Sequence, residues 1–162
     1  MARRAKGGGR VRPLWVLAVL AATALVLWFT LREDRYVTWQ NLTGSNLVPL
    51  RHHWAALQCV LDDCAAAEAA RTYLVLDVGG NLLLFVPLGL ALVGALPLAG
   101  GGRRWLAAVA AALVLSAAIE AVQLGMPSRA TDVDDVLFNT LGAALGGLAA
   151  VVWLRPGGRG RG

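Results

Sequence analysis

Ionisable and polar side chains recur at helical spacing within the strongly apolar stretches of this chain. Ser116, Glu120 and Gln123 are separated by four and three residues, so they lie on one face of a predicted helix. A carboxylate that such a face holds away from water can act as a general acid or base, and it can bind an ammonium group. Glu120 is therefore the candidate catalytic residue, and no cofactor motif accompanies it.

The remaining polar groups follow the same periodicity on two further predicted helices. Asp77 and Asn81 are one turn apart. A run with spacings of three, four, three and four residues shares a second face, and it consists of Asp132, Asp135, Asn139, Gly142 and Gly146. Ionisable groups inside a membrane generally face the helix bundle or a wet cavity, so we expect a polar cleft that is open to the outside. The candidate ligand-binding residues are Asn46, Asn81, Glu120, Gln123, Arg129, Asp132, Asp135 and Asn139.

A structural interpretation competes with the functional one for the uncharged members of this set. Asn81, Gln123 and Asn139 are equally well explained as interhelical hydrogen-bonding groups. Gly142 and Gly146 fit a seam of small residues at which two helices approach closely. For these residues the sequence favours neither interpretation.

The acidic residues before the last apolar run also have a structural interpretation. Asp134 and Asp135 are typical of solvated or helix-capping residues in a loop. Asp132 or Asp135 would suit the positive N-terminal end of the following helix. Arg129 would neutralise these carboxylates, and it would also suit a phosphate group.

Four apolar runs position these groups, and each is long enough to cross a bilayer. They cover residues 13–31, 78–98, 105–124 and 136–154. A hydrocarbon core of about 30 Å needs roughly 20 apolar residues in a helix, because backbone amides in lipid must be satisfied within the helix. With 57% hydrophobic residues, the sequence predicts an all-α integral membrane protein with a four-helix transmembrane bundle at residues 13–154.

The distribution of basic residues predicts the orientation of this bundle. Ten of the 15 Lys and Arg residues precede the first run, lie between the second and third runs, or follow the fourth. Because Lys and Arg near short loops remain cytoplasmic, we expect a multi-pass plasma-membrane protein with cytoplasmic N- and C-termini. The first run could also be a signal peptide, but its 19 residues and the lack of a small-residue cleavage site favour an uncleaved anchor.

The two tails carry much of the net charge of +5. Residues 1–12 and 155–162 are basic, rich in glycine and poor in apolar residues, which predicts disorder. Their position beside membrane spans favours anionic membrane lipids as partners and excludes a nucleic-acid role.

The connection between the first two runs is expected to be an outward-facing interfacial segment. Trp54, Leu57 and Leu61 recur at helical spacing, which predicts a short amphipathic helix on the outer membrane interface. His52 and His53 do not match a zinc-binding spacing with the nearby cysteines, so no metal site is predicted. We interpret this pair as polar residues of the interface.

Cys59 and Cys64 are the two cysteines of the chain. A disulfide is chemically reasonable on the outer side of the membrane. However, five residues of helix rise about 7.5 Å, which exceeds the Cα separation that a disulfide tolerates. Both a bridged loop and a helix with two thiols remain open, and the periodicity favours the helix.

Four sequence blocks occur in a characteristic order. They are residues 46–49, 81–89, 119–123 and 129–142. In this order they resemble the VanZ-like family of small bacterial membrane proteins, although Leu50 stands where that family usually has Phe. The resemblance implies a role in the cell envelope, since the family is named for a member that gives low-level resistance to the glycopeptide teicoplanin.

Two functions are consistent with these observations. The first is binding, without catalysis, of a lipid headgroup, a lipid-linked cell-wall precursor or a glycopeptide antibiotic at the outer polar cleft. The second is an intramembrane enzyme that acts on such a headgroup with Glu120 as acid or base. We favour binding, because the sequence contains no cofactor motif and no Ser/His/Asp arrangement. A partner role in a larger assembly is a further alternative, and the sequence does not indicate an oligomeric state.

Overall fold

The computed structural model describes residues 12–32, 44–126 and 130–154, and five α-helices make up most of these residues. They are α1 (Pro13–Leu31), α2 (Arg51–Leu61), α3 (Ala67–Ala95), α4 (Gly101–Gln123) and α5 (Val133–Trp153). Within the described ranges the β-structure is limited to one parallel bridge, which joins Asn46 to Asp132. The predicted all-α fold is confirmed.

Four of the helices are long and apolar enough to cross a membrane. These are α1, α3, α4 and α5, in which stretches of 18 residues have mean hydropathies of 2.3, 2.0, 2.1 and 1.8. Helix α3 has 29 residues and begins at Ala67, eleven residues before the predicted span at residue 78. The extension contains Glu68, Arg71 and Asp77, and these charged residues interrupt the apolar run from which the span was predicted. They do not interrupt the helix, because Ala, Leu, Glu and Arg all favour helix formation.

Helix α3 lies at the centre of the bundle. It forms the largest interface of the fold with α5, and it also contacts α1, α2 and α4. A Cβ atom added at Gly142 would collide with the backbone of Leu82, and one at Gly146 would collide with the backbone of Val86. The predicted seam of small residues is therefore confirmed: α3 and α5 approach so closely that only glycine fits at these positions.

The apolar core follows this seam. Phe85 and Leu88 of α3 pack with Ala112 and Ile119 of α4 and with Ala143 of α5. A second cluster at the far end of the helices contains Val93, Ala108 and Ala150. Burial of these side chains and the close packing of the seam hold the spans together, because lipid tails are as apolar as the side chains and helix association in lipid depends on shape.

Helix α2 packs on the N-terminal part of α3, and a disulfide joins Cys59 to Cys64. The favoured prediction of two free thiols is wrong. Helix α2 ends at Leu61, so the chain turns before Cys64 and brings the two Cα atoms within 5.1 Å of each other. Helix and bridge are compatible here because the second cysteine lies beyond the helix.

Candidate functional site

Ionisable side chains from four parts of the chain meet at one end of the bundle. This is the end at which α4 stops and α5 starts, and the N-terminal part of α3 and the inner face of α2 also reach it. We call this group the polar centre. It consists of His52, His53, Tyr73, Asp77, Glu120, Asp132, Asp134 and Asp135.

The N-terminus of α5 organises the polar centre through Asp132. This residue is the N-cap of α5, and its Oδ1 accepts a hydrogen bond of 3.0 Å from the backbone N–H of Asp134. The side chain of Asn46 donates to the same oxygen at 3.0 Å. The capping role predicted for Asp132 is confirmed, and the carboxylate also ties α5 to the segment before α2.

His52 lies against the other oxygen of this carboxylate. Its Nδ1 is 3.1 Å from Asp132 Oδ2, and the hydroxyl of Tyr73 donates to the same oxygen at 3.3 Å. His52 is only 6% exposed. Burial raises the pKa of the Asp132 carboxyl above its usual value, although the hydrogen bonds from Asp134 and Asn46 oppose this effect. A carboxylate on Nδ1 fixes the orientation of an imidazole and leaves Nε2 for chemistry.

His53 bridges two helices. Its Nδ1 is 2.9 Å from Asp134 Oδ2 on α5, and its Nε2 is 3.1 Å from Asp77 Oδ2 on α3. Burial by itself lowers the pKa of His53, but the hydrogen bonds and charges of Asp77 and Asp134 outweigh it and raise this pKa above its usual value. The rings of Tyr73 and Phe138 lie 4.9 and 5.0 Å from the imidazole ring, so His53 is an enclosed imidazole with a carboxyl group on each side.

Three carboxyl groups lie together below the histidines. Asp135 interacts with both Asp77 and Glu120, and it accepts a hydrogen bond of 2.9 Å from the side chain of Asn81. The Glu120 side chain accepts a hydrogen bond of 3.0 Å from the backbone N–H of Asp132. Glu120 thus has a structural contact, at the N-terminus of α5, that its position in the sequence did not reveal.

Neutral polar groups lie on both sides of the polar centre: Ser116 and Asn139 are one turn further into the bundle, and Gln123 is the last residue of α4. The side chain of Asn139 donates to Ser116 at 2.8 Å, and the side chain of Gln123 donates to the backbone carbonyl of Thr30 at 2.8 Å. Asn139 and Gln123 therefore link helices, as the structural interpretation predicted. The acceptor oxygens of both side chains are buried, and the described residues supply no donor to either.

The structure brings together seven of the eight predicted site residues. Asn46, Asn81, Glu120, Gln123, Asp132, Asp135 and Asn139 all lie at this end of the bundle. Arg129 lies outside the described residues. Glu120, Asp132 and Asn139 are 6% exposed or less and pack against their partners, whereas Asn81 and Asp135 are half-buried, so the open cleft stays a prediction.

Sequence reasoning missed four members of the polar centre or misjudged them. Asp134 was expected to be solvated or capping but is completely buried, and His52 and His53 face the protein instead of the membrane interface. Tyr73 was not singled out. One signal was present in the sequence for His52: it lies opposite the stripe of Trp54, Leu57 and Leu61 on α2, so a helix that turns this stripe to lipid turns His52 inward.

The fold and this centre define a class: a small multi-pass helical membrane protein with a buried histidine–carboxylate centre at one end of its spans. A model of the VanZ/LLP1 family matches residues 15–154, which include nearly all of the five helices. The chain belongs to the VanZ/LLP1 family. No curated protein and no solved structure matches the chain significantly.

Proposed function

We propose that this protein serves the bacterial cell envelope by binding, at its polar centre, the headgroup of a membrane lipid, of a lipid-linked cell-wall precursor or of a glycopeptide such as teicoplanin. The observation that carries the proposal is a cluster of five carboxyl groups and two buried imidazoles at one end of an otherwise apolar bundle. Three of the carboxyl residues are buried, and Asp77 and Asp135 are half-buried. Ionisable residues in a membrane are costly, and replacing buried ion pairs by apolar residues is often neutral or stabilising. A scaffold alone does not require such a centre.

The charge of the centre favours one kind of ligand group. Five carboxyl groups outnumber two imidazoles even when both imidazoles are protonated. The acceptor oxygens of Gln123 and Asn139 lack donors among the described residues. An ammonium group supplies three N–H donors and a positive charge, so an amine-bearing headgroup complements the centre better than a bare phosphate.

Acid–base catalysis is the second candidate, and one specific contact favours it. Asp132 holds Nδ1 of His52, and among the described residues no partner is found for Nε2. This is the arrangement in which a carboxylate orients a histidine for proton transfer. The candidate acid or base is then His52, because the carboxylate of Glu120 already accepts the N–H of Asp132.

Paired variants test the binding proposal. Asp135→Asn removes one carboxyl group from the centre, and Asp62→Asn makes the same change on an exposed residue outside it. Native mass spectrometry of protein from nanodiscs of phosphatidylethanolamine and phosphatidylglycerol should show phosphatidylethanolamine retained by the parent and by Asp62→Asn. We expect at least a fivefold loss of retention in Asp135→Asn.

Equal retention by Asp135→Asn and Asp62→Asn, at equal amounts of folded protein, would reject recognition by the centre. His52→Gln then separates the two candidate functions. A binding role predicts that this variant changes lipid retention without any change in the retained lipid itself, whereas catalysis predicts that the parent converts the lipid and that His52→Gln does not.

The outward orientation belongs to the same proposal. A cysteine introduced at Gly125, beside the polar centre, should react with an impermeant thiol reagent in intact cells, while one at Gly102 should not. The native cysteines are bridged and do not compete for the reagent. A reactive Gly102→Cys with a protected Gly125→Cys would place the centre on the cytoplasmic side.

A further inference from the structure

Helix α2 presents three different faces. Its buried face carries His52, His53, Ala56 and Cys59. A second face carries Trp54, Leu57 and Leu61, whose side chains are 62%, 39% and 74% exposed. The third face carries the exposed polar residues Arg51 and Gln58, which are two turns apart. Exposure of such an apolar stripe to water is unfavourable, so the second face of α2 needs an apolar neighbour.

The loop before α2 extends this apolar surface. Leu47, Val48 and Leu50 are 71%, 53% and 53% exposed. The loop cannot swing freely, because the amide of Leu50 donates to Asp134 at 2.7 Å and Asn46 is bridged to Asp132. The loop and α2 together therefore hold six exposed apolar side chains in fixed positions.

The exposed residues of α3 indicate how deep α2 and its loop lie relative to the membrane surface. Arg71 and Thr72 are exposed, and one turn further along the helix the exposed residues are Val75 and Leu76. These four side chains line a shallow groove of about 330 Å³. The change from a guanidinium and a hydroxyl to aliphatic side chains is the pattern of a helix that passes from lipid headgroups into lipid tails.

Helix α2 packs against this part of α3. Its contact with α3 includes Ala70 and Tyr73, and the Tyr73 ring lies 4.9 Å from the ring of His53. Helix α2 therefore lies beside the part of α3 in which the exposed residues change from Arg71 and Thr72 to Val75 and Leu76.

We propose that α2 and the loop before it form a membrane-binding surface, with Trp54, Leu57 and Leu61 inserted among the lipids and Arg51 and Gln58 facing water. The occupant of this surface is the lipid bilayer itself. One consequence rests on the proposed function. The two histidines of α2 lie at the level of the lipid headgroups, so the ligand of the polar centre is carried by a membrane lipid and reaches the centre from the bilayer.

Spin labels on two adjacent residues test the membrane contact. Labels at Leu57→Cys and Gln58→Cys in liposomes are compared by their collisions with oxygen, which concentrates in lipid, and with a water-soluble nickel chelate. We expect the Leu57 label to favour oxygen and the Gln58 label to favour nickel. Nickel access at both positions would overturn the proposal, as would lipid access at both. A Leu57 label shielded from both reagents would mean that protein covers the stripe, which also overturns it.

Two probes with the same headgroup test the source of the ligand. Phosphatidylethanolamine in vesicles should raise the melting temperature of the full protein by several degrees, while soluble phosphoethanolamine at the same concentration should not. Equal protection by both would overturn delivery from the bilayer. Protection by neither would reject the proposed amine recognition together with this consequence, while the spin labels would still decide the membrane contact of α2 by themselves.

Discussion

The two ends of the transmembrane bundle are held together by different kinds of contact. At the end away from the polar centre, Gly146 lies against the backbone of Val86, and Val93, Ala108 and Ala150 pack around the seam. At the other end, carboxylates and imidazoles link α2, α3 and α5. The first end needs only shape complementarity. The second end carries more charge than packing requires, and this excess is the reason to place function there.

A substitution at the apolar end should have the largest effect. Gly146→Leu would force α3 and α5 apart, because even a Cβ atom at this position meets the Val86 backbone. We expect a loss of at least about 3 kcal/mol in the free energy of unfolding, the upper end of the range for overpacked cores. The measurement is the amount of folded, monodisperse protein in mild detergent. Gly80→Ala is the control, since open space surrounds Gly80, and an equal loss in this control would refute the seam.

Removing the hub of the polar end should have the next largest effect. Asp132→Ala deletes the acceptor that serves His52, Tyr73 and Asn46. We expect a cost of about 3 kcal/mol, because buried donors lose their partner. Thermal unfolding in detergent measures the change, with the exposed Asp62→Ala as the control. If Asp132→Ala melts like the parent, the centre does not hold the helices together.

The pH dependence of stability should be smaller, and its sign follows from His53. The pKa of His53 is raised in the folded protein by Asp77 and Asp134, so its stabilising contribution is complete below the unfolded pKa of about 6.5. The contribution is lost as the pH rises through the folded value. The raised pKa of Asp132 has the same sign but acts from about pH 4 upward.

Melting temperatures between pH 6 and pH 9 measure this effect. We expect the parent to lose stability as the pH rises, and we expect His53→Gln to show a flatter dependence over this range. A dependence as steep in His53→Gln as in the parent would show that other groups produce it.

The smallest effect on stability is expected for Glu120→Gln. The amide oxygen of glutamine can still accept the N–H of Asp132, so the change in the free energy of unfolding should be below about 1 kcal/mol. The variant nevertheless removes one ionisable group from the centre, and lipid retention per folded molecule should fall severalfold. Full retention would show that Glu120 is a purely structural residue. His52 would then be the residue of the polar end to which function is assigned.

Much of this arrangement was predictable from periodicity within single helices. The spacing of Ser116, Glu120 and Gln123 gave their common face, and the alternation of apolar and basic segments brought the polar faces to the same end of the bundle. The close approach at Gly142 and Gly146 was also visible, since small residues four apart permit it. For polar faces and small residues on long helices, the sequence is sufficient to predict which residues share a face, because a helix fixes the relative directions of its own side chains.

The partners of those faces depend on the tertiary structure. Helix α2 and the segment before it bond to residues more than eighty positions away, as in the contacts of His53 with Asp134 and of Asn46 with Asp132. No local rule predicts such a pairing, because the route of a connection between membrane spans is not encoded in helical periodicity. For the same reason the burial of Asp134 was misjudged, whereas the bridge between Cys59 and Cys64 was missed because periodicity did not show that α2 ends at Leu61. The sequence by itself determined four spans with polar faces at one end; the tertiary structure alone decided that the histidines of α2 complete the polar centre, since this depends on contacts between elements far apart in the chain.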